Sequence, residues 1–436
     1  MKPSHMRRPP PSNSHRGAAS LVVVVILMAV MMVAVAFTNR SLVVETKTSA
    51  NQYRYTLAMQ AAEAGLEWAT AMMNKPENIN ASCLTSAVAG DIRFRRKYLW
   101  TDADTGEVVP RKIPPPAPDV RPLPPIPEVF AACVANQLGN GWTCSCPNAG
   151  TVPAPGAAAP ARGFQPSFAV GFEASPTNGT LRLVSYGCTS PITSATCTGD
   201  AGATVSVSLG PVSGLATPPA APLTARGKVE IGNAALGVIN GDPTTNGVTI
   251  NAGMGIDASN VRITTVPGTP PASTLVGNDA SLRDTTEDQM FAMFFGMSKD
   301  AYQNLPSVTK LICPCTENTI QTAYNAGARQ IWLEGNLTMN ANLTIGSVAE
   351  PVLLVTNGNI EMRGDLEVYG LLYSTAITWD NTGGGSALLR GAAISEGNYT
   401  GNGTPDYYYD PNVLKKLRVE ASSYSRIPGS WRDFNP

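Results

Sequence analysis

The chain has 436 residues, 43% of them hydrophobic and only 14% charged, with a formal net charge of -1. That balance offers no basic face to offset phosphate charge, which excludes nucleic-acid binding, and the length leaves room for about two or three domains. The only histidines, His5 and His15, both precede the first apolar run, which removes Ser-His-Asp, Cys-His and most zinc chemistry from everything after it.

Residues 1–17 are polar, Pro-rich and basic, with Lys2, Arg7, Arg8 and Arg16 and no acid. Ala18 to Phe37 then run without a charge. A helix of that length crosses about 30 Å, the hydrocarbon thickness of a bilayer. Positive charge ahead of the span keeps that end cytoplasmic and sends the rest out. No Pro or Gly interrupts the chain from Ala18 to Ala64. After Phe37 the pattern turns amphipathic, with Val43, Ala50, Tyr53, Leu57, Ala61, Ala64, Trp68 and Ala71 on one face. Arg40, Glu45, Lys47, Arg54, Glu63 and Glu67 occupy the other, and Pro76 stops the helix. The residues alone leave three forms open. They are a single-pass anchor, a secretory signal cut after Ala34-Val35-Ala36, and a prepilin signal whose basic leader ends at Gly17 while the apolar helix is retained.

Beyond the helix the composition changes. Asp102, Asp104 and Glu107 read as a solvated turn, since a calcium loop needs more ligands at fixed spacing. Residues 108–127 and 151–166 are Pro-rich and predict semi-rigid linkers. Strand-like runs cover 167–172, 180–186 and 203–209, and Thr204 to Leu209 alternates as a half-buried antiparallel strand does. From Pro218 short alternating strands bounded by Gly-Asn corners appear at 227–233, 335–345 and 358–368, with a degenerate unit at 396–403. That spacing favours a β-solenoid over an antiparallel sheet with Asn-Gly hairpins, because Gly and Asn tolerate the left-handed backbone of stacked corners. Residues 284–326 read as a helical insert whose Phe291, Phe294 and Phe295 are core. Asp410-Pro411 reads as a helix start, with Val413, Leu414 and Leu417 facing inward.

Eight cysteines follow the apolar run: Cys83, Cys133, Cys144, Cys146, Cys188, Cys197, Cys313 and Cys315. An even count beyond a membrane-crossing segment suits disulfides in an oxidising compartment. Cys188 and Cys197 lie close enough to staple a loop, and the other pairings stay open. The two Cys-x-Cys pairs lack a neighbouring His and the usual zinc spacing, so no metal or other cofactor is expected. No P-loop, Gly-x-Gly-x-x-Gly or Gly-x-Ser-x-Gly motif occurs, and no catalytic residue is predicted.

Two stretches carry a family resemblance. Arg16-Gly17-Ala18-Ala19-Ser20-Leu21-Val22 resembles a prepilin cleavage site. Gln60-Ala61-Ala62-Glu63-Ala64, preceded by Ala50-Asn51, resembles the N-terminal domain of the PilX family of minor pilins, and the tail from Tyr409 to Phe434 resembles that of large members. The resemblance implies cutting between Gly17 and Ala18 by a prepilin peptidase, methylation, and an assembly helix on which Ala18, Val22, Phe37, Gln60 and Glu63 lie. Pilins of the shaft usually carry Glu at the fifth mature position, where it pairs with a neighbour's amine; here that position is Val22. An unpaired carboxylate in an apolar bundle is costly, so its absence points to a tip subunit with no amine ahead of it.

The expected architecture is α+β. It has a leader at 1–17, a long helix at 18–74 spanning the membrane over 18–37, and an antiparallel β pilin-like head at 75–215. A β-rich region at 216–436 follows, with a β-solenoid as its favoured form. The resemblance implies a non-enzymatic minor pilin, inserted in the inner membrane and then displayed on the pilus. It helps prime assembly, with adhesion as a further role. Its implied partners are major and minor pilins, the inner-membrane assembly platform and prepilin peptidase. A large pseudopilin of type II secretion, or a secreted β-solenoid adhesin or enzyme, is the alternative.

Overall fold

The computed structural model describes residues 16–111, 129–136, 140–147, 153–156, 163–175, 177, 179–192, 197, 201–232, 236–257, 261–340, 342–381 and 387–433. The fold is α+β, and the chain divides into two units, Met1–Leu57 and Ala58–Pro436. The leader lies outside the described residues but for Arg16 and Gly17. The Pro-rich segments fall largely outside them too.

In the first unit the described chain is all helix, part of one element, Arg16–Asn74. The helix ends two residues before Pro76, whose ring cannot continue the ladder. Among the described residues it is the helix long and apolar enough to cross a membrane.

The second unit begins with the last turns of that helix packed on an antiparallel sheet. The six strands lie in the order Ser422–Arg426, Gly202–Ser213, Leu181–Cys188, Ser167–Ala174, Val129–Ala135 and Trp142–Ser145. Ala62, Leu66, Ala69, Met72 and Met73 enter one core with Phe94, Phe168, Phe172, Leu183 and Val207. The expected apolar face is therefore rotated: Ala61 is buried as predicted, Ala64 and Trp68 are half-buried, and Ala71 is exposed. Small residues decide this, because they let two backbones close up. A Cβ on Gly187 of the sheet would stand 2.1 Å from the Ala58 carbonyl oxygen and 2.4 Å from the Ala62 nitrogen.

From Leu223 onward the strand pairing is parallel, until the closing strand at Ser422. Each circuit carries up to three short strands. The first comprises Leu223–Ala225, Val229–Ile231 and Gly237–Asn240. The second, Ile250–Ala252, Ile256–Asp257 and Arg262–Thr265, stacks on one side of it. The chain then leaves through the helices Ala280–Arg283, Glu287–Phe295 and Lys299–Gln303 and re-enters at Thr309–Ile312. From there it winds back through Gln330–Glu334, Val352–Thr356, Leu366–Ser374 and Leu388–Ser395, each beside the one before. The final circuit closes on the first, with Leu223 opposite Ala393, Val229 opposite Tyr399 and Val238 opposite Tyr407.

Corners repeat in register. Asn336 accepts from the Asn359 N–H at 2.9 Å, and Asn342 from the Asp365 N–H at 3.1 Å, each 23 residues on. The long strands bend at Gly370 and Gly391, where φ is 149° and 139°. A Cβ at Gly391 would meet the Gly370 carbonyl oxygen at 1.9 Å, so a side chain cannot enter that corner. Inside the circuits lie Leu, Ile, Val and Met with Trp379, Tyr399 and Tyr407. Outside one face Phe291, Phe295 and Tyr302 cover Trp332, Leu371 and Tyr373, so the predicted aromatic cluster is core.

Three expected boundaries need correction. The region 216–436 does not keep to itself: Ser422–Arg426 returns to the antiparallel sheet, a run whose polar residues hide its strand character. The insert 284–326 is not helical throughout, since Thr309–Ile312 and Cys315–Thr316 pair with Gln330–Glu334 and Leu337–Met339. The first expected linker opens in a strand, Val108–Pro110, paired with Leu99–Thr101.

Candidate assembly segment and binding surfaces

Gly17 and Ala18 lie in the first turn of the long helix. Val22 is 54% exposed and Phe37 69%, and the apolar residues between them are exposed likewise. A continuous apolar surface of this kind is stable only against lipid or other protein. The motif at Gln60 divides by its geometry: Ala61 and Ala62 are buried, whereas Gln60 and Glu63 face outward. Glu67, one turn on, pairs with Arg426 at 2.8 Å on the surface.

The same unit contains a buried charge cluster that the sequence did not disclose. The short helix Phe94–Tyr98 and the residue before it present alternating arginines. Arg93 pairs with the Glu420 carboxylate, and Arg95 donates to the Glu420 carbonyl oxygen at 2.6 Å and to the Ser422 carbonyl oxygen at 2.7 Å. Arg96 reaches Glu350, which also takes Arg329. Burial alone would raise the Glu420 carboxyl, but Arg93, Arg95 and Arg96 outweigh it and hold it at about 2. Burial lowers the Arg95 guanidinium, with Arg93 beside it adding to the effect. One side of these arginines thus grips the end of the chain and the other grips the parallel stack. The only signal in the sequence was the run Arg93 to Lys97 itself.

The Asp102 region is a turn: its Oδ1 accepts from the N–H groups of Asp104 and Thr105 at 2.8 and 2.7 Å, and Asp104 pairs with Lys415. Among the described residues no group of three His, Cys, Asp or Glu could hold a metal. All eight cysteines are bridged, as Cys83–Cys146, Cys133–Cys144, Cys188–Cys197 and Cys313–Cys315. One Cys-x-Cys pair therefore bridges to itself, and the other splits between two partners. Lys97 caps the first bridge by donating to the Cys146 carbonyl oxygen at 2.7 Å, and burial lowers its ammonium to about 8 despite Asp91.

A buried ion pair fastens the helical excursion to the stack. Lys299 meets Glu396 at 2.7 Å, and Tyr373 donates to the same carboxylate at 2.7 Å. On the uncovered faces, outward rows carry Thr338, Glu361, Thr378, Thr400 and Glu230 on one side and Tyr369, Arg390 and Tyr408 on another.

The long helix thus carries an exposed apolar run followed by a segment packed on an antiparallel sheet. Residues 16–67 match the family model described as PilX N-terminal. The resemblance read at Gln60 to Ala64, which lies inside that segment, is borne out. No curated protein and no solved structure matches the chain.

Proposed function

We propose that this chain is a non-enzymatic minor pilin of a type IV pilus, placed at or near the tip, which helps prime assembly and carries an adhesive β region. The observation that carries the reading is the exposed apolar helix with Val22 at the place where shaft pilins keep a carboxylate. That helix suits insertion among other pilin helices, and Val22 leaves no charge seeking an amine ahead of it. We read the helix-covered antiparallel sheet as a pilin-type head and the parallel circuits as a β-solenoid borne on it. The basic residues before the span support a cytoplasmic N-terminus before assembly, with the disulfide-bonded part outside the inner membrane. Partners are then major and minor pilins, the assembly platform and prepilin peptidase.

N-terminal sequencing of the chain recovered from sheared pili tests this. Ala18 at the mature terminus is the expected result. A terminus at Phe37 marks a secreted product and refutes the pilin reading, and an intact Met1 marks a plain anchor. Gold-labelled antibody at filament ends is expected, and label along the whole shaft refutes the tip position. Recovery with a secretion pseudopilus, and not with pili, would move the chain to that machine.

A further inference from the structure

One uncovered face of the parallel stack has a chemistry unlike its neighbours. Tyr369 stands in register with Arg390, and Arg390 with Tyr408, on three successive strands. Two strand spacings separate the tyrosines by roughly 10 Å. Their neighbours Val368, Leu389 and Tyr407 point into the core, so strand alternation turns Tyr369 and Tyr408 outward. Tyr408 is 38% exposed.

The polar groups around them are held in place. Arg390 donates from Nε to Asp410 at 2.7 Å and lies 5.2 Å from the centre of the Tyr408 ring. Glu367 accepts from the Tyr369 hydroxyl at 2.7 Å and from Thr344 at 3.1 Å. Asp406 takes Arg262 at 2.6 Å, and it has room to do so because Gly237 beside it has no Cβ, which would fall 2.0 Å from that carboxylate.

We infer that this face binds an uncharged oligosaccharide laid across the rungs, stacked on Tyr369 and Tyr408 and hydrogen-bonded by Arg390, Glu367 and Asp406. The inference rests on the adhesive reading above and names its ligand class. Two guanidiniums against three carboxylates leave the face near neutrality, with both signs interspersed. A polyanion meets net repulsion there, whereas a chain of hydroxyls meets fixed donors and acceptors at no Coulombic cost. Phenol rings offer flat apolar area for the C–H face of a sugar, and few rotamers are lost. The spacing between rungs, about 5 Å, is close to the length of one sugar unit in an extended chain, so alternate units meet the two rings.

The test uses the full chain in detergent, titrated with uncharged hexasaccharides of glucose, N-acetylglucosamine, galactose and mannose, and with a heparin hexasaccharide as the anionic control. At least one neutral hexasaccharide is expected to bind more tightly than heparin. Tyr369→Ala and Tyr408→Ala should each weaken it tenfold or more without moving the melting temperature, and Tyr408→Phe should keep most of it. Failure of all four neutral sugars, preference for heparin, or binding indifferent to both tyrosines overturns the site. Cell adhesion separates the two levels. A strain lacking the chain that adheres normally removes the adhesive reading. A strain that needs the chain but tolerates the double tyrosine variant keeps that reading and overturns this site.

Discussion

Asn74 and Tyr424, 350 residues apart, hold each other by two buried hydrogen bonds: the Asn74 amide donates to the Tyr424 carbonyl oxygen at 2.8 Å, and its Oδ1 accepts from the Tyr424 N–H at 2.6 Å. The amide imitates a neighbouring strand and so ties the last residue of the helix to the last strand among the described residues.

Replacing Asn74 by Ala leaves a buried N–H and a buried C=O without partners. A loss of about 2–4 kcal/mol in unfolding free energy is expected. Asn74→Asp should also destabilise, because it keeps the acceptor but loses the donor. Urea unfolding of both variants measures this, and an Asn74→Ala variant within experimental error of the parent would show the contact to be dispensable.

The Glu420 cluster gives a pH signature. Its carboxyl lies at about 2 in the folded chain against an ordinary 4.5. A depressed carboxyl stabilises fully above the ordinary value and loses that contribution as pH falls from about 4.5 through about 2, a change of about 3 kcal/mol. Glu420→Gln should lower the melting temperature at pH 7, where it leaves Arg93 and Arg95 without their counter-charge, and flatten the acid limb. Parallel acid limbs in parent and variant would contradict the assignment.

Two glycines at the helix–sheet contact should differ. A Cβ at Gly187 runs into the backbone of Ala58 and Ala62, which cannot step aside without moving the helix. A Cβ at Gly65 meets the Ser185 hydroxyl at 2.1 Å, which can rotate, and the Phe168 ring at 3.0 Å. Gly187→Ala is therefore expected to cost about 3 kcal/mol or more, and Gly65→Ala clearly less. Thermal unfolding ranks them, and the reverse order would refute the packing argument.

The disulfides should contribute unequally. Cys83–Cys146 closes a separation of 63 residues and Cys313–Cys315 one of 2. Loop-closure entropy assigns about 4 kcal/mol to the first and about 1 kcal/mol to the second. Paired Cys→Ser variants, compared by melting temperature, check the ranking. Equal losses would mean that native-state contacts outweigh the entropy term.

Local signals in the sequence were legible where local chemistry makes the structure. Gln60 to Ala64 marked the helix, Pro76 its end, Thr204 to Leu209 an antiparallel strand, and Gly358-Asn359 a repeating corner. What stayed hidden depends on distant partners. Nothing near Leu223 or Ala393 states that they pair, because the first circuit waits through some 170 residues for the last to reach it. Ser422–Arg426 sits at a sheet edge with Tyr424 as its one apolar anchor, too little alternation to read. The buried helix face was misjudged because Ala58, Ala62 and Gly65 count for little on a hydrophobic scale, yet their smallness sets the approach. Tyr369, Arg390 and Tyr408 become one row only after the register is known.

The return of Ser422–Arg426 has a mechanical consequence. The parallel stack joins the antiparallel sheet through two strands of chain, one leaving at Ser213 and one arriving at Ser422, and these two residues face each other in register. A pull on the stack along these strands is shared by both tethers. It loads the sheet's hydrogen bonds together, in shear, where a single tether at the edge would peel them one at a time. A body held at its root in this way passes a pull on the stack into the sheet without unravelling its own attachment.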